Sequence, residues 1–205
     1  MKLTSQPRHS LSVLLGAIMT LLVIGSARAD WPTPSAYSYK EADGCQGAPQ
    51  RPASYPPCID QMAAFTAAVR EAKAQKRVLL VVFGADWCPW CKALDKSLPS
   101  ADVLEHPDLK GRIDLKKIAL SAIIDGKRVS VPSGQAVLDW ILDTSTGDLP
   151  AGIPSFAIVD PSRSGRSIVR ETVPFEDNRD GRGHDPAKIR AALLTALRDL
   201  GTEKP

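Results

Sequence analysis

Two cysteines three positions apart, in Cys88-Pro89-Trp90-Cys91, are the residues of this 205-residue chain best suited to chemistry. A pair at that spacing, where a strand gives way to a helix, reads as a dithiol that exchanges electrons by opening and closing a disulfide. The reaction needs an accessible, ionisable sulfur that attacks and a second sulfur that resolves the mixed disulfide. With Cys88 at a helix N-cap, Pro89 takes the first helical position, where its missing N–H costs nothing. The orphan N–H groups of the first turn, that of Cys91 included, then point at the Cys88 sulfur, and the helix dipole favours its thiolate. Cys91 lies on the same helical face, within disulfide reach. Cys88 is therefore the candidate nucleophile and Cys91 the resolving thiol. A permanent disulfide between them would waste the helix-start placement.

The flanking elements must hold that pair. Val78 to Val82 followed by Phe83 reads as a strand buried on both faces, and Gly84-Ala85-Asp86 breaks it before the helix, whose Leu94 and Leu98 face inward until Pro99. Upstream, Asp60 can cap a helix to Lys76 with Met62, Phe65, Val69 and Ala72 on one stripe. Downstream, Ile113–Leu120 reads as a second parallel strand, and Asp125-Gly126 as a hairpin turn. Ser133 can cap a helix through Asp143 with Val137, Trp140 and Ile141 on one face. Phe156–Val159 is a further strand, joined by the turn at Asp160–Gly165 to an antiparallel partner, Ser167–Val173. Pro174 to Asp185 reads as a polar surface loop. Asp185-Pro186 opens a last helix that Gly201 ends, with Leu193, Leu194, Leu197 and Leu200 apolar. The element order argues an α/β layer sandwich.

FGADWCPWCK, residues 83–92, resembles the active site of thioredoxin-fold oxidoreductases, which have W-C-x-x-C-K after a buried strand. Its A-D-W-C-x-x-C-K form is most similar to the C-terminal thioredoxin-like domain of the membrane thiol:disulfide interchange reductase, and its Cys-Pro-aromatic-Cys core is also similar to glutaredoxin's. The resemblance implies a thioredoxin-like fold, a central mixed sheet flanked by helices, over residues 59–205. Gly152-Ile153-Pro154, before an apolar strand, resembles the family's cis-proline loop facing the cysteines, which implies a cis Ile153–Pro154 bond and a substrate-binding backbone at Ile153 and Pro154. The motif and this loop lie further apart than in compact thioredoxins, which implies an insertion at about 121–150. Thioredoxins commonly carry a buried carboxylate in the strand before the motif, where this chain has Val82. Asp86 is the candidate substitute as proton acceptor for Cys91. Trp87 is expected behind the motif, and Trp90 exposed and contacting substrate. Lys92 is either a positive charge near Cys88 or a solvated surface lysine.

The chain's first residues read as a processing segment. Lys2 and Arg8 precede the apolar run Leu11–Ile24, and Ala27-Arg28-Ala29 is a cleavage site, so residues 1–29 are an expected signal peptide cut after Ala29, with an uncleaved anchor the alternative. The whole chain carries +3, and this leader holds Lys2, Arg8 and Arg28 with no acid. The remainder is neutral, and no polybasic tract points to nucleic acid. A periplasmic setting is the resulting expectation. Residues 30–58 form a proline-rich arm in which Cys45 and Cys58 bracket the second half. A structural disulfide is the first reading of that pair, with a second exchanging pair, or free or intermolecular thiols, as alternatives. His106 and His184 stand in no ligand-spaced cluster and read as surface residues. There is no metal signature, phosphate loop or dinucleotide fingerprint, so neither metal nor cofactor is implied.

The expected activity is an exported thiol:disulfide oxidoreductase, a reductase of protein disulfides. Its partners would be a disulfide-containing client protein and a membrane or periplasmic thiol electron donor. The alternatives are a thiol oxidase or glutaredoxin-like enzyme, and a non-catalytic module that binds a metal such as Cu(I) or a client.

Overall fold

A computed structural model of the chain describes residues 38–46, 53–146, 152–163, 167–171, 176–177 and 183–201. The expected leader, its cleavage site and much of the proline-rich arm lie outside them.

Seven consecutive buried residues, Val78–Gly84, form β1 at the middle of the molecule. It pairs in parallel with β2 (Ile113–Ala119) and antiparallel with β6 (Ser155–Val159). β7 (Ser167–Glu171) continues antiparallel to β6, and the short β5 (Ser145–Thr146) lies parallel to β7. The resulting five-stranded mixed sheet has the order β2-β1-β6-β7-β5. Strand side chains alternate between faces, so β1 feeds two separate cores. Leu79, Val81 and Phe83 meet Met62, Phe65 and Val69 of α1 (Gln61–Ala74) and Val137 and Ile141 of α3 (Pro132–Asp143). Val78, Leu80 and Val82 meet Leu94 of α2 (Pro89–Ser97), Leu98, and Ile189, Leu193 and Leu197 of α4 (Pro186–Asp199). A sheet covered by helices on both faces is the thioredoxin-like architecture expected from the motif.

Local chemistry sets the helix starts. Asp60 accepts from the Ala63 N–H at the head of α1, and Asp185 accepts from the Ala187 and Lys188 N–H groups at the head of α4. α3 departs from expectation, because Ser133 is not its cap. Pro132 is favoured at the first helical position, which moves the N-cap back to Val131, and no side chain caps there. The Ser133 hydroxyl instead accepts from the Gln61 N–H and donates to the Ile59 carbonyl, tying α3 to the head of α1.

The stretch 121–146 divides in two. β3 (Ser121–Ile124) and β4 (Lys127–Ser130) form a separate hairpin about Asp125 and Gly126, both with positive φ. α3 is an integral layer of the domain. It approaches β2 so closely that a Cβ on Gly134 would fall 1.8 Å from the Ala119 carbonyl oxygen. The region read as a surface loop also carries structure, since β8 (Glu176–Asp177) pairs with β9 (Gly183–His184) and β9 packs against α2.

Candidate active site

At the carboxyl end of β1 the chain leaves the sheet at Gly84 and enters α2 with Cys88 as its N-cap and Pro89 at the first helical position. The Cys91 N–H donates to the Cys88 sulfur at 3.3 Å, the cap interaction that spacing and proline placement call for. Cys88 and Cys91 are both free thiols. Cys88 keeps 4% of its surface exposed and Cys91 none. The opening to an incoming sulfur is therefore narrow, and it leads to Cys88. Facing it, the Ile153–Pro154 bond is cis, and the Cys88 thiol lies 3.7 Å from the Ile153 carbonyl oxygen as its donor. Helix start and proline loop thus converge on one sulfur.

Cys91 titrates unlike a surface cysteine. Burial foremost, then its hydrogen bond to the Cys88 sulfur, push its thiol well up, and a hydrogen bond with the Ala85 backbone works in the opposite direction. The charges of Cys88 and Asp95 add to the rise. A resolving thiol in that condition needs a base beside it.

Asp86, the acid expected there from the sequence, is engaged by the N-terminal arm. Its Oδ1 accepts from the Ser54 N–H at 3.1 Å and the Tyr55 N–H at 3.3 Å, so it holds the N-terminal arm against the redox loop. The acid whose charge reaches Cys91 is Asp95, four residues on and hence on the same face of α2. Lys117 Nζ meets Asp95 Oδ1 at 2.8 Å, and the Tyr55 hydroxyl donates to the same oxygen at 3.2 Å. Lys117 pairs across the sheet with Val82, the position at which a strand carboxylate was missed. The sheet supplies the cation there and the helix supplies the acid. The spacing from Cys91 to Asp95 was visible in the sequence, whereas the contributions of Tyr55 and Lys117 require the tertiary fold.

The two tryptophans beside the pair are held by different elements. Trp87 Nε1–H donates to Ser121 Oγ at 3.2 Å, and the Arg128 guanidinium stacks 3.9 Å above its ring, so the β3–β4 hairpin is clasped to the redox loop. Trp90 is half-buried rather than exposed, because β9 folds back and sets the His184 ring edge-on to it at 5.6 Å. His184, read from sequence as a surface residue, is 5% exposed, and its desolvation pushes the imidazole down. His106, by contrast, sits partly exposed beside Asp108. Lys92 is exposed. Cys45 and Cys58 are joined in a disulfide within the arm. Among the described residues, no group of three or more His, Cys, Asp and Glu side chains is arranged to hold a metal ion.

Residues 60–161 match the family described as thioredoxin-like, and this segment places the chain in the thioredoxin-like superfamily. A sequence comparison with curated proteins finds no match. Among solved structures, a disulphide isomerase from Xylella fastidiosa Temecula1 is similar, with a TM-score of 0.38 and 22% identity over 74% of this chain and 95% of that one.

Proposed function

We propose that the protein is an exported thiol:disulfide oxidoreductase that reduces disulfides of client proteins through Cys88 and Cys91. The observation that carries this reading is the Cys88 sulfur, which receives the Cys91 N–H at a helix start and faces the Ile153 carbonyl of the cis-proline loop. The Cys88 thiolate attacks one client sulfur. The client disulfide breaks, its other sulfur leaves as a thiolate and takes up a proton, and a Cys88–client mixed disulfide forms. Cys91 then gives up its proton and attacks the Cys88 sulfur. The second client sulfur departs and is protonated in turn. Two electrons have passed to the client, and Cys88 and Cys91 are left as a disulfide. A thiol donor on the membrane or in the periplasm reverses that last state. Export rests on the leader pattern of residues 1–29.

Reduction of insulin driven by dithiothreitol tests the reading, with Cys88→Ser as control. The wild-type protein should accelerate precipitation of the insulin chains, and equal rates for the two proteins would remove the proposal. Direction is read from the potential of the pair, where a value near about −270 mV supports a reductase and one near about −120 mV makes the protein an oxidase.

A further inference from the structure

We infer that Tyr55 is a positioning residue of the exchange reaction, supplied to the redox centre by the arm that precedes the thioredoxin-like segment. The inference rests on the proposed dithiol chemistry and concerns its second step. Tyr55 lies before residue 60, where the family match begins, yet it is only 2% exposed and belongs to the core that surrounds Cys88 and Cys91. Its ring has a reserved seat. A Cβ on Gly84, the last residue of β1, would come within 2.6 Å of the ring carbons and 2.9 Å of the hydroxyl oxygen.

The arm is fastened on both sides of this tyrosine. Asp86 accepts the Ser54 and Tyr55 backbone N–H groups, the Gln61 side chain donates to the Pro56 carbonyl, and Cys58 is bonded to Cys45. Burial foremost, with the charges of Asp95 and of both cysteines, drives the phenol far above its ordinary range. Tyr55 therefore stays neutral and acts as a donor. Its proton goes to Asp95 Oδ1, which also receives Lys117 Nζ. Two donors on one carboxylate oxygen fix the side chain of Asp95 one helical turn beyond Cys91.

That fixing matters because Cys91 is closed to solvent and its thiol is pushed up. When Cys91 attacks the mixed disulfide, its proton leaves fastest to an internal acceptor, and Asp95, one helical turn on and held by two donors on Oδ1, is the carboxylate placed for it. Asp95 takes the proton as the Cys88–Cys91 bond forms and the bond from Cys88 to the client sulfur breaks. Tyr55 touches neither sulfur in that step. It holds the acceptor in register.

Single-turnover exchange with a chromogenic aryl disulfide tests this, because each step releases one coloured aryl thiolate. In the full reduced chain, Tyr55→Phe keeps the ring and deletes only the hydroxyl. The first release, from attack by Cys88, should stay within about twofold of wild type, while the second slows by about tenfold, a fraction of what general-base assistance supplies. The slowed release should also become steeper with pH, as solvent base replaces Asp95. Asp95→Asn should show the same selective loss, and adding Tyr55→Phe to it should cost nothing further. Two normal releases from Tyr55→Phe would overturn the inference and leave the dithiol reading intact. Equal slowing of both releases, a full second release from Asp95→Asn, or additive losses in the double variant would overturn it as well. A wild-type protein with no second release would instead remove the underlying reading.

Discussion

The chain carries two cysteine pairs whose difference is one of setting more than of spacing. Cys88 and Cys91 are three residues apart and free, whereas Cys45 and Cys58 are thirteen apart and bonded. On the chain-entropy model, closing the arm's loop stabilises the fold by about 3 kcal/mol and closing the short one by about 2 kcal/mol. A gap of about 1 kcal/mol does not make one pair a staple and the other a reagent. The surroundings do. Cys88 caps a helix and receives the Cys91 N–H. Cys45 is buried in an irregular arm and bonded to Cys58. On the proposed reading, the sulfur that acts as a reagent is the one that caps a helix and receives a backbone N–H.

The comparison is broken most forcefully by deleting the arm's disulfide. Cys45→Ser with Cys58→Ser should lower the unfolding free energy by about 3 kcal/mol, measured by denaturant titration with the redox pair held reduced. The first step of exchange by Cys88 should persist. Loss of that first step in the folded variant would mean that the arm's pair shares in the chemistry and that the two settings are not separate.

A pH titration of stability sharpens the contrast further. The buried Cys91 thiol is raised above its ordinary value of 9.0, so in the reduced protein the folded state holds a proton that the unfolded chain releases. The associated stability is intact below that value and is lost as pH climbs above it, by about 1.4 kcal/mol per pH unit. Tyr55, raised from 10.0, adds a second loss of the same sign at higher pH. Oxidation removes the share of Cys91, because a disulfide sulfur does not titrate. Denaturation midpoints of reduced and oxidised protein between about pH 7 and 10 should therefore diverge. Parallel curves would mean that Cys91 is solvated. His184 acts at the other end of the scale. Its imidazole is pushed down, so its contribution is present above about 6.5 and is lost as pH falls below it.

The parts of this site that were legible in the sequence are those set by neighbours along the chain. Apolar β1, the Cys88 cap with Pro89 behind it, the turn at Asp125-Gly126 and the cap at Asp185 each follow from a few adjacent residues, and the structure has them where the pattern puts them. Ser133 failed on the same local level, because two start signals competed and Pro132 prevailed. The other features the sequence hid are set by non-local contacts. Asp86 is nearer the cysteines in sequence than Asp95, yet the arm claims it through Ser54 and Tyr55. Nothing in the composition of residues 53–58 marks Tyr55 as a core residue. Nothing near His184 announces that β9 turns back onto α2 and Trp90. In each case the deciding contact joins segments more than thirty residues apart.

The smallest expected effect probes the clasp between the redox loop and the β3–β4 hairpin. The hairpin lies outside the main sheet, and Arg128 over Trp87 is one of the side-chain contacts that hold it to the redox loop. Arg128→Ala should cost about 0.5–1 kcal/mol, seen as a fall of about 1–4 °C in the unfolding midpoint. Arg128→Lys should recover only part of it, since a compact ammonium cannot stack as a planar guanidinium does. Trp87 keeps its hydrogen bond to Ser121 in both variants, so the geometry at Cys88 is preserved and single-turnover attack on the aryl disulfide should be unchanged. Insulin is the more demanding probe because it must lie across the surface beside the opening. Slower insulin reduction with normal attack on the small probe would make the hairpin a client-binding element, and equal behaviour toward both substrates confines it to holding the redox loop.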